Sequence, residues 1–458
     1  MAQAKGYDIK EFALQVGQDI KPSEDLSNLK FSGDTAFDLR GLVSAFNYYE
    51  SVDSPTTRME IVVYDTVDMI NNLNGNEFVR LVMTTDTDPD VELSITQKVF
   101  KIGEVTKSER AVTYILYTTS PGMQYNESNK VFQSFMDKPG HEIVRSIEKK
   151  YLKKAVKKDR WEDARGNFNF ISPSWRPYDV IAYVQDKIVG GTSGSPGYLY
   201  FETYRGSNFV TMDYLCSASN KTFSNPVTYT YEQANVGTSE AGSQNAFKIE
   251  NLNYPDRANH LEKFRTGAYS NVIIGISMSS MTSGFLPSDG ATSEGKKDSS
   301  PAGSINPPVA MGAKTVWGLS KHLNRGFPFF KVDAEYFSDK NPSRVKIRAL
   351  PSMKNAQGTA NPDGNAANMS FDTVKSAAYS QSRWQLLNAI KLDITVPGNV
   401  ALCAGDVVNV RIPASGSASG RVELDEMYSG KYLILGVKHS YHPTGVTTKL
   451  NLSKDSIL

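Results

Sequence analysis

Several groups of residues in this chain have types and spacings that could do chemistry, and each has to be set against a plainer use. Asp86-Thr87-Asp88-Pro89-Asp90 offers carboxylates at alternate positions, as a calcium loop does. Its sixth position is Val91, where such a loop needs a glycine to turn, and its twelfth is Gln97, where it needs a bidentate glutamate, so an acidic turn between strands is expected. His439 and His442 could share a metal on a helix, but they fall on a strand and its turn, where that spacing parts the rings. Gly190-Gly191-Thr192-Ser193-Gly194-Ser195 is serine-rich but lacks the G-x-S-x-G spacing and the strand-turn-helix setting of a nucleophile elbow, and reads as a turn. Lys149, Lys150, Lys153, Lys154, Lys157 and Lys158 with Arg160 form a basic run; interleaved Glu148, Asp159, Glu162 and Asp163 make a solvated helix face the expectation, with a subunit or spike contact next and a nucleic-acid or membrane patch after it. Spacing picks no catalytic pair from 49 acidic residues, and five histidines leave little for acid-base work. No catalytic, cofactor-binding or metal-binding residue is therefore assigned.

Composition narrows the class. At 458 residues the chain exceeds one comfortable core, so two to four domains are expected. A net charge of +1 argues against a dedicated nucleic-acid binder. Cys216 and Cys403 are too few for a disulfide framework and lack ligand spacing, which fits assembly in a reducing cytoplasm. Met1-Ala2-Gln3-Ala4-Lys5-Gly6 carries no apolar leader, and no apolar run approaches a membrane span, so neither export by signal peptide nor a span is expected. The 23 tyrosines and 21 phenylalanines suit extensive interfaces as well as β-rich cores.

Positioning falls to strands. Ile390, Leu392, Ile394 and Val396 alternate with Lys391, Asp393 and Thr395; Val408, Val410 and Ile412, then Leu433, Leu435 and Val437, then Val446, Thr448, Leu450 and Leu452 repeat the two-residue period. Four half-buried strands parted by Gly, Pro and Ser predict an antiparallel meander rolling toward a small barrel. Near the other end, Met59, Ile61 and Val63 alternate with Glu60, Val62 and Tyr64 in a strand expected to be buried on both faces, and Val67 to Gly75 reads as a short helix or turn closed by glycine. Between these lie two amphipathic helices, one carrying Ile143, Val144, Ile147, Tyr151 and Leu152, the other Val180, Ile181 and Val184. Ser283 to Ser304 and Pro351 to Ala367 are too poor in apolar residues to offset ordering entropy, and are expected to be loops open to protease near Lys296 and Gly358.

Three blocks carry a family resemblance. Val396-Pro397-Gly398, Ala404-Gly405-Asp406-Val407-Val408, Ser429-Gly430-Lys431-Tyr432-Leu433-Ile434 and the closing Lys454-Asp455-Ser456 resemble the C-terminal domain of the central baseplate hub protein of contractile-tailed bacteriophages, which shares its architecture with the hub half of type VI secretion spike proteins. Glu50-Ser51-Val52-Asp53, Pro55 and Met59-Glu60-Ile61 with Tyr64-Asp65 resemble the first tube-like domain of that family. Pro177-Tyr178-Asp179-Val180-Ile181 with Tyr200-Phe201-Glu202-Thr203 and Arg205-Gly206 resembles its inserted α/β domain.

The resemblance implies an α+β, mainly β chain: an extension over 1–26 that docks on a neighbour, a first tube-like antiparallel β-barrel domain over 27–121, an inserted α/β domain over 122–215, a loop-rich third region over 216–375 lending strands to the second tube domain, and that domain over 376–458. It further implies a homotrimer whose two tube domains per chain build a pseudo-sixfold ring between the hexameric tail tube protein and the trimeric central spike protein, in contact with other baseplate proteins. DNA is then passing cargo, no cofactor is needed, and the place of action is the virion tail baseplate, assembled in the host cytoplasm. The two tube domains are expected to superpose, and the strands Met59 to Tyr64 and Leu433 to His439 to form the ring wall, with Lys438 and Lys391 facing inward on one side and Glu60 on the other. Two other readings stay open: a tail-associated peptidoglycan or polysaccharide hydrolase, for which cell-wall zymography would discriminate, and a carbohydrate-binding tail adhesin, which would more often show repeats.

Overall fold

A computed structural model describes residues 6–16, 36–154, 158–231, 245–255, 259–277, 282–283, 309–337, 342–350, 373–414 and 423–458. The expected loops around Lys296 and Gly358 lie outside the described residues. The fold is α+β and mainly β, with 47% of the described residues in strands against 22% in helices.

One sheet of 13 strands holds most of the strand residues among those described. Its order runs from Asn251–Asn253 through Ile390–Pro397, Gly445–Lys454, Gly430–His442, Val43–Ser51, Arg58–Asp65, Val112–Thr119, Asp88–Lys107, Phe78–Thr85 and Tyr7–Gln15 to Ala36–Asp38. Val407–Arg411 pairs with the first part of Gly430–His442, and Val227–Thr230 lies parallel to it on the other side. The long strand Gly430–His442 joins two halves. Its residues Gly430 to Leu433 pair with Val407–Arg411, its residues Gly436 to Tyr441 pair with Val43–Ser51, and a register shift between Ile434 and Gly436 marks the handover.

Each half wraps its own core. Phe12, Leu14, Phe46, Tyr48, Ile61, Leu81, Val99 and Leu116 fill one; Tyr229, Leu392, Ile394, Val410, Ile434, Leu450 and Leu452 fill the other. Full burial of an aliphatic or aromatic side chain contributes roughly 1.5–3 kcal/mol, so the alternation seen in the sequence is also the pattern of stabilisation. The hydrogen-bonded order is an open path among the described residues, with its two ends unpaired to each other.

Two expectations change here. Three of the four C-terminal strands, Val407–Arg411, Gly430–His442 and Gly445–Lys454, form the expected antiparallel meander, but the first, Ile390–Pro397, pairs with the last instead of leading it. The last strand, Gly445–Lys454, lies inside the sheet between Ile390–Pro397 and Gly430–His442, while Val407–Arg411 sits on the far side of Gly430–His442. Alternation gives each strand its face and says nothing of its neighbour. Tyr7–Gln15, read as part of an extension, is a full strand paired with Phe78–Thr85. A bulge between Ile9 and Glu11 shifts the inward face from Tyr7 and Ile9 to Phe12 and Leu14, and that phase slip hides the two-residue period.

The strand Arg58–Asp65 buries Met59, Ile61, Val63 and Asp65, whereas Glu60 and Val62 are half-buried and Arg58 and Tyr64 exposed, so within one chain it is covered on one face. The acidic segment Asp86 to Asp90 begins at a tight hairpin turn, with Thr85 paired to Asp88. Helices Gly140–Lys150 and Pro177–Gln185 pack through Ile143, Val144, Ile147, Val180, Ile181 and Val184 beside the hairpin Tyr198–Thr203 with Gly206–Thr211. A smaller sheet of Ser270–Ser277, Val309–Gly312 and Arg344–Leu350 packs on the helix Thr373–Leu387 through Ile273, Met311, Ala377 and Ala378.

Candidate functional site

The face of the sheet turned away from the cores forms an open groove of about 1160 Å³ where its two halves meet. Because alternate residues of each strand point to opposite faces, burying Phe46, Tyr48, Met59, Ile61, Val437, His439, Leu450 and Leu452 obliges Tyr49, Arg58, Glu60, Lys438, Lys449 and Asn451 to line it. Lys391 and Asp393 of Ile390–Pro397 complete the wall. Lys438, Lys391 and Glu60, singled out from the sequence as inward-facing, thus share one concave surface.

The groove is charged and internally matched. Tyr49 donates its hydroxyl to Glu60 at 3.0 Å and lies under the Lys438 ammonium, 5.4 Å from its ring centre. Burial and the Glu60 carboxylate push the Tyr49 phenol up to about 12. Asn451 donates to Asp393 at 2.9 Å, with Lys449 at 3.9 Å. Such a wall of alternating sign can stay wet while presenting no strong single-sign field. Sequence reasoning missed Tyr49, Arg58, Asp393 and Lys449 here; strand parity was the signal for each.

Buried ion pairs tie distant segments of the chain together. Arg160, from the inserted region, bonds Asp406 and donates to the Ala404 carbonyl at 3.0 Å. Arg205 adds a second contact to Asp406 at 3.2 Å. Gly405 lets them approach: its φ is +85°, and a Cβ there would lie 2.7 Å from Arg160 and 2.9 Å from the Phe201 ring. Elsewhere Arg383 is fully buried between Asp213, 2.8 Å from Nε, and Asp455, 2.9 Å from its terminal nitrogen. Nothing in the sequence marks these pairs, three of which span 170 positions or more and are set by the tertiary fold.

The other candidate residues are dispersed. The basic run is not one solvated helix face: the helix Gly140–Lys150 ends after exposed Lys149 and Lys150, and the chain then turns Lys154 inward onto Glu202 at 3.0 Å and Arg160 onto Asp406. Burial alone would lower the Lys154 ammonium, but Glu202 and its neighbours hold it well above its usual range. Lys157 lies outside the described residues. His439 points into the core, stacked on Tyr48, and burial lowers it to about 4; His442 is exposed on the opposite face. In the segment Gly190 to Ser195, the turn closes on buried Glu162, which accepts from the amides of Thr192 at 3.1 Å and Ser193. Cys216 and Cys403 are buried and unpaired as a disulfide. No cluster of metal-ligating side chains and no helix long and apolar enough to cross a membrane occurs among the described residues.

No family model matches the sequence, and no curated protein matches it significantly. Its fold does have solved neighbours along the whole length. The tail protein from Neisseria meningitidis MC58 aligns with a TM-score of 0.54 at 11% identity, covering 99% of this chain and 98% of that one. The 43 kDa tail protein of prophage MuSo2 from Shewanella oneidensis aligns with a TM-score of 0.53 at 10% identity, covering 98% and 99%. The chain has the fold of phage tail proteins, in agreement with the resemblance of its sequence blocks to the baseplate hub family.

Proposed function

We propose that this protein is a structural, non-enzymatic baseplate hub of a contractile phage tail. Three copies join the hexameric tail tube to the trimeric central spike, and their grooves line an axial channel through which DNA passes as cargo. The end-to-end likeness of fold to two tail proteins carries the reading, since nearly every element of the chain is used in it. The concave face with Tyr49, Glu60, Lys391 and Lys438 supports it, because a wetted, sign-balanced wall suits a conduit. A trimer offering two tube-like units per chain, 27–121 and 376–458 with strands lent by 216–375, would meet six like tube subunits by symmetry matching. In that assembly the inserted 122–215 region lies outside the ring, other baseplate proteins surround it, and no metal or cofactor takes part.

Light scattering coupled to size exclusion tests the assembly: three times the 50.5 kDa chain mass is expected at micromolar concentration. Pull-down with tube protein tests the adaptor role, with co-elution expected. A persistent monomer that binds neither tube nor spike would overturn the proposal.

A further inference from the structure

The small sheet packed on the helix Thr373–Leu387 ends in an unpaired strand. Arg344–Leu350 runs parallel to Ser270–Ser277 over seven residue pairs, and its other edge has no strand beside it among the described residues. An edge of that length offers a row of backbone donors and acceptors to any extended chain laid along it.

The two faces of this sheet differ. Residues opposite each other share a face, so Val345 and Ile347 stand with Val272 and Ile274 on the side away from the helix, while Ile273 and Met311 are buried with Ala377 and Ala378 on the other. Val345 is 55% exposed and Ile347 65%, whereas Val272 and Ile274 are half-buried. The two large apolar side chains left open therefore sit on the strand whose edge is also unpaired, and one added strand would cover both.

Charge decides what kind of chain fits. Arg344, Lys346 and Arg348 alternate with the apolar residues of this strand, and no carboxylate occurs in it, in Ser270–Ser277 or in Val309–Gly312. Arg344 bonds the Arg265 carbonyl, and Lys346 donates to the Gln381 side-chain oxygen at 2.6 Å; both acceptors are neutral. Two copies of this edge laid together would set cation against cation, and like charges directly opposite disfavour pairing. An acidic chain in the same place would meet a cation at every second position. Cations on an edge commonly serve to keep it unpaired, but an edge guarded for that purpose would not also leave two large apolar side chains open beside it.

We propose that Arg344–Leu350 is a docking edge for an extended segment of a different protein, one in which acidic residues alternate with apolar ones and which adds to the sheet as a further strand. Its acids lie opposite Arg344, Lys346 and Arg348, its apolar side chains cover Val345 and Ile347, and main-chain bonds along the edge supply affinity. None of these residues lines the groove, so the site stands whether or not the chain assembles as a hub.

Hydrogen exchange on the full chain tests the edge, with a synthetic peptide alternating glutamate and valine as the probe and its counterpart with lysine for glutamate as the control. In the protein alone the outward amides of Arg344–Leu350 should exchange freely. With the glutamate peptide at about ten times the dissociation constant found by titration they should slow on the order of tenfold, and the lysine peptide should leave them unchanged. Arg344→Glu with Lys346→Glu should reverse the preference between the two peptides. Should that pair of changes disturb the sheet, Ile347→Glu, at an exposed position, should abolish slowing by the glutamate peptide. No binding of the glutamate peptide, equal slowing by both peptides, or outward amides already protected in the protein alone, as they would be beneath another segment of this chain or a second copy, would overturn the proposal.

Discussion

Phe12 lies edge-on against Phe46, with ring centres 5.6 Å apart and planes at 80°, although four strands lie between theirs along the hydrogen-bonded order of the sheet. The sheet therefore rolls until Tyr7–Gln15, next to its edge strand, comes back over the strand Val43–Ser51. Tyr7 repeats the relationship against Tyr441 at 5.0 Å. The first strand is thus a wall of the core. Phe12→Ala should cost about 3–5 kcal/mol, the usual range for an enclosed aromatic. Chemical denaturation gives the number, and a loss below about 1 kcal/mol would mean that this strand is not packed as described.

Arg383 bridges Asp213 and Asp455 with no exposed surface, so removing its charge strands two buried carboxylates. Arg383→Leu should destabilise by about 3–5 kcal/mol. Burial alone would raise Asp455, but the Arg383 charge and the His322 and Ser456 bonds outweigh it and lower Asp455 to about 2, from 3.8. A depressed carboxylate stabilises above its unfolded value and loses that contribution as pH falls through the folded one. The wild type should therefore lose about 2 kcal/mol between pH 4 and 2 through this group. Asp455→Asn should be less stable at pH 6 and show a shallower acid loss in the same titration.

Lys454 gives the opposite slope. Burial lowers it to about 7 from 10.5, against the pull of Asp425 and Asp455, while its Nζ donates to the Ser429 carbonyl at 2.7 Å and sits 4.7 Å from the Tyr432 ring centre. The unfolded chain binds the extra proton between those values, so this group should raise stability by up to about 1.4 kcal/mol per pH unit above pH 7. Lys454→Met should flatten that rise, and at pH 6, where the group still carries its proton and the cost of burying it offsets much of the bond to Ser429, should cost no more than about 1 kcal/mol. A loss of several kcal/mol at pH 6 would show that the ammonium is well solvated.

Alternation makes the core side legible in Ile390 to Val396 and Val446 to Leu452, which bury the residues their period picks out, but not in Leu433 to Val437, where the register shift between Ile434 and Gly436 leaves Leu435 half-buried, nor in Met59 to Tyr64, expected to be covered on both faces and covered on one. The groove follows from the same parity, which is why Lys438, Lys391 and Glu60 can be picked out from the amino-acid sequence. Strand neighbours are not legible, since Gly445–Lys454 has the same period whether it ends a sheet or sits inside one. The bulge at Lys10 erases the period of a real strand, because one extra residue moves every later side chain to the other face. Buried charges are hidden for a different reason. Lys154 and Arg160 look like surface residues by type, and only the distant Glu202 and Asp406 make their burial tolerable.

The charged groove, open to solvent on the hub reading, should contribute little to folding. Lys438→Glu places a half-exposed charge change outside both cores, so unfolding should shift by no more than about 0.5 kcal/mol. Paired with Glu60→Lys, it should likewise leave the fold intact, and near-identical denaturation curves would check this.

A three-dimensional electron-microscopy reconstruction of the purified protein tests the hub reading most directly. A threefold ring with an axial opening is expected, its wall formed by the strands Arg58–Asp65 and Gly430–His442, with Tyr49, Glu60, Lys391 and Lys438 facing the lumen. Single unassociated chains, or a ring with those four residues turned outward, would contradict it.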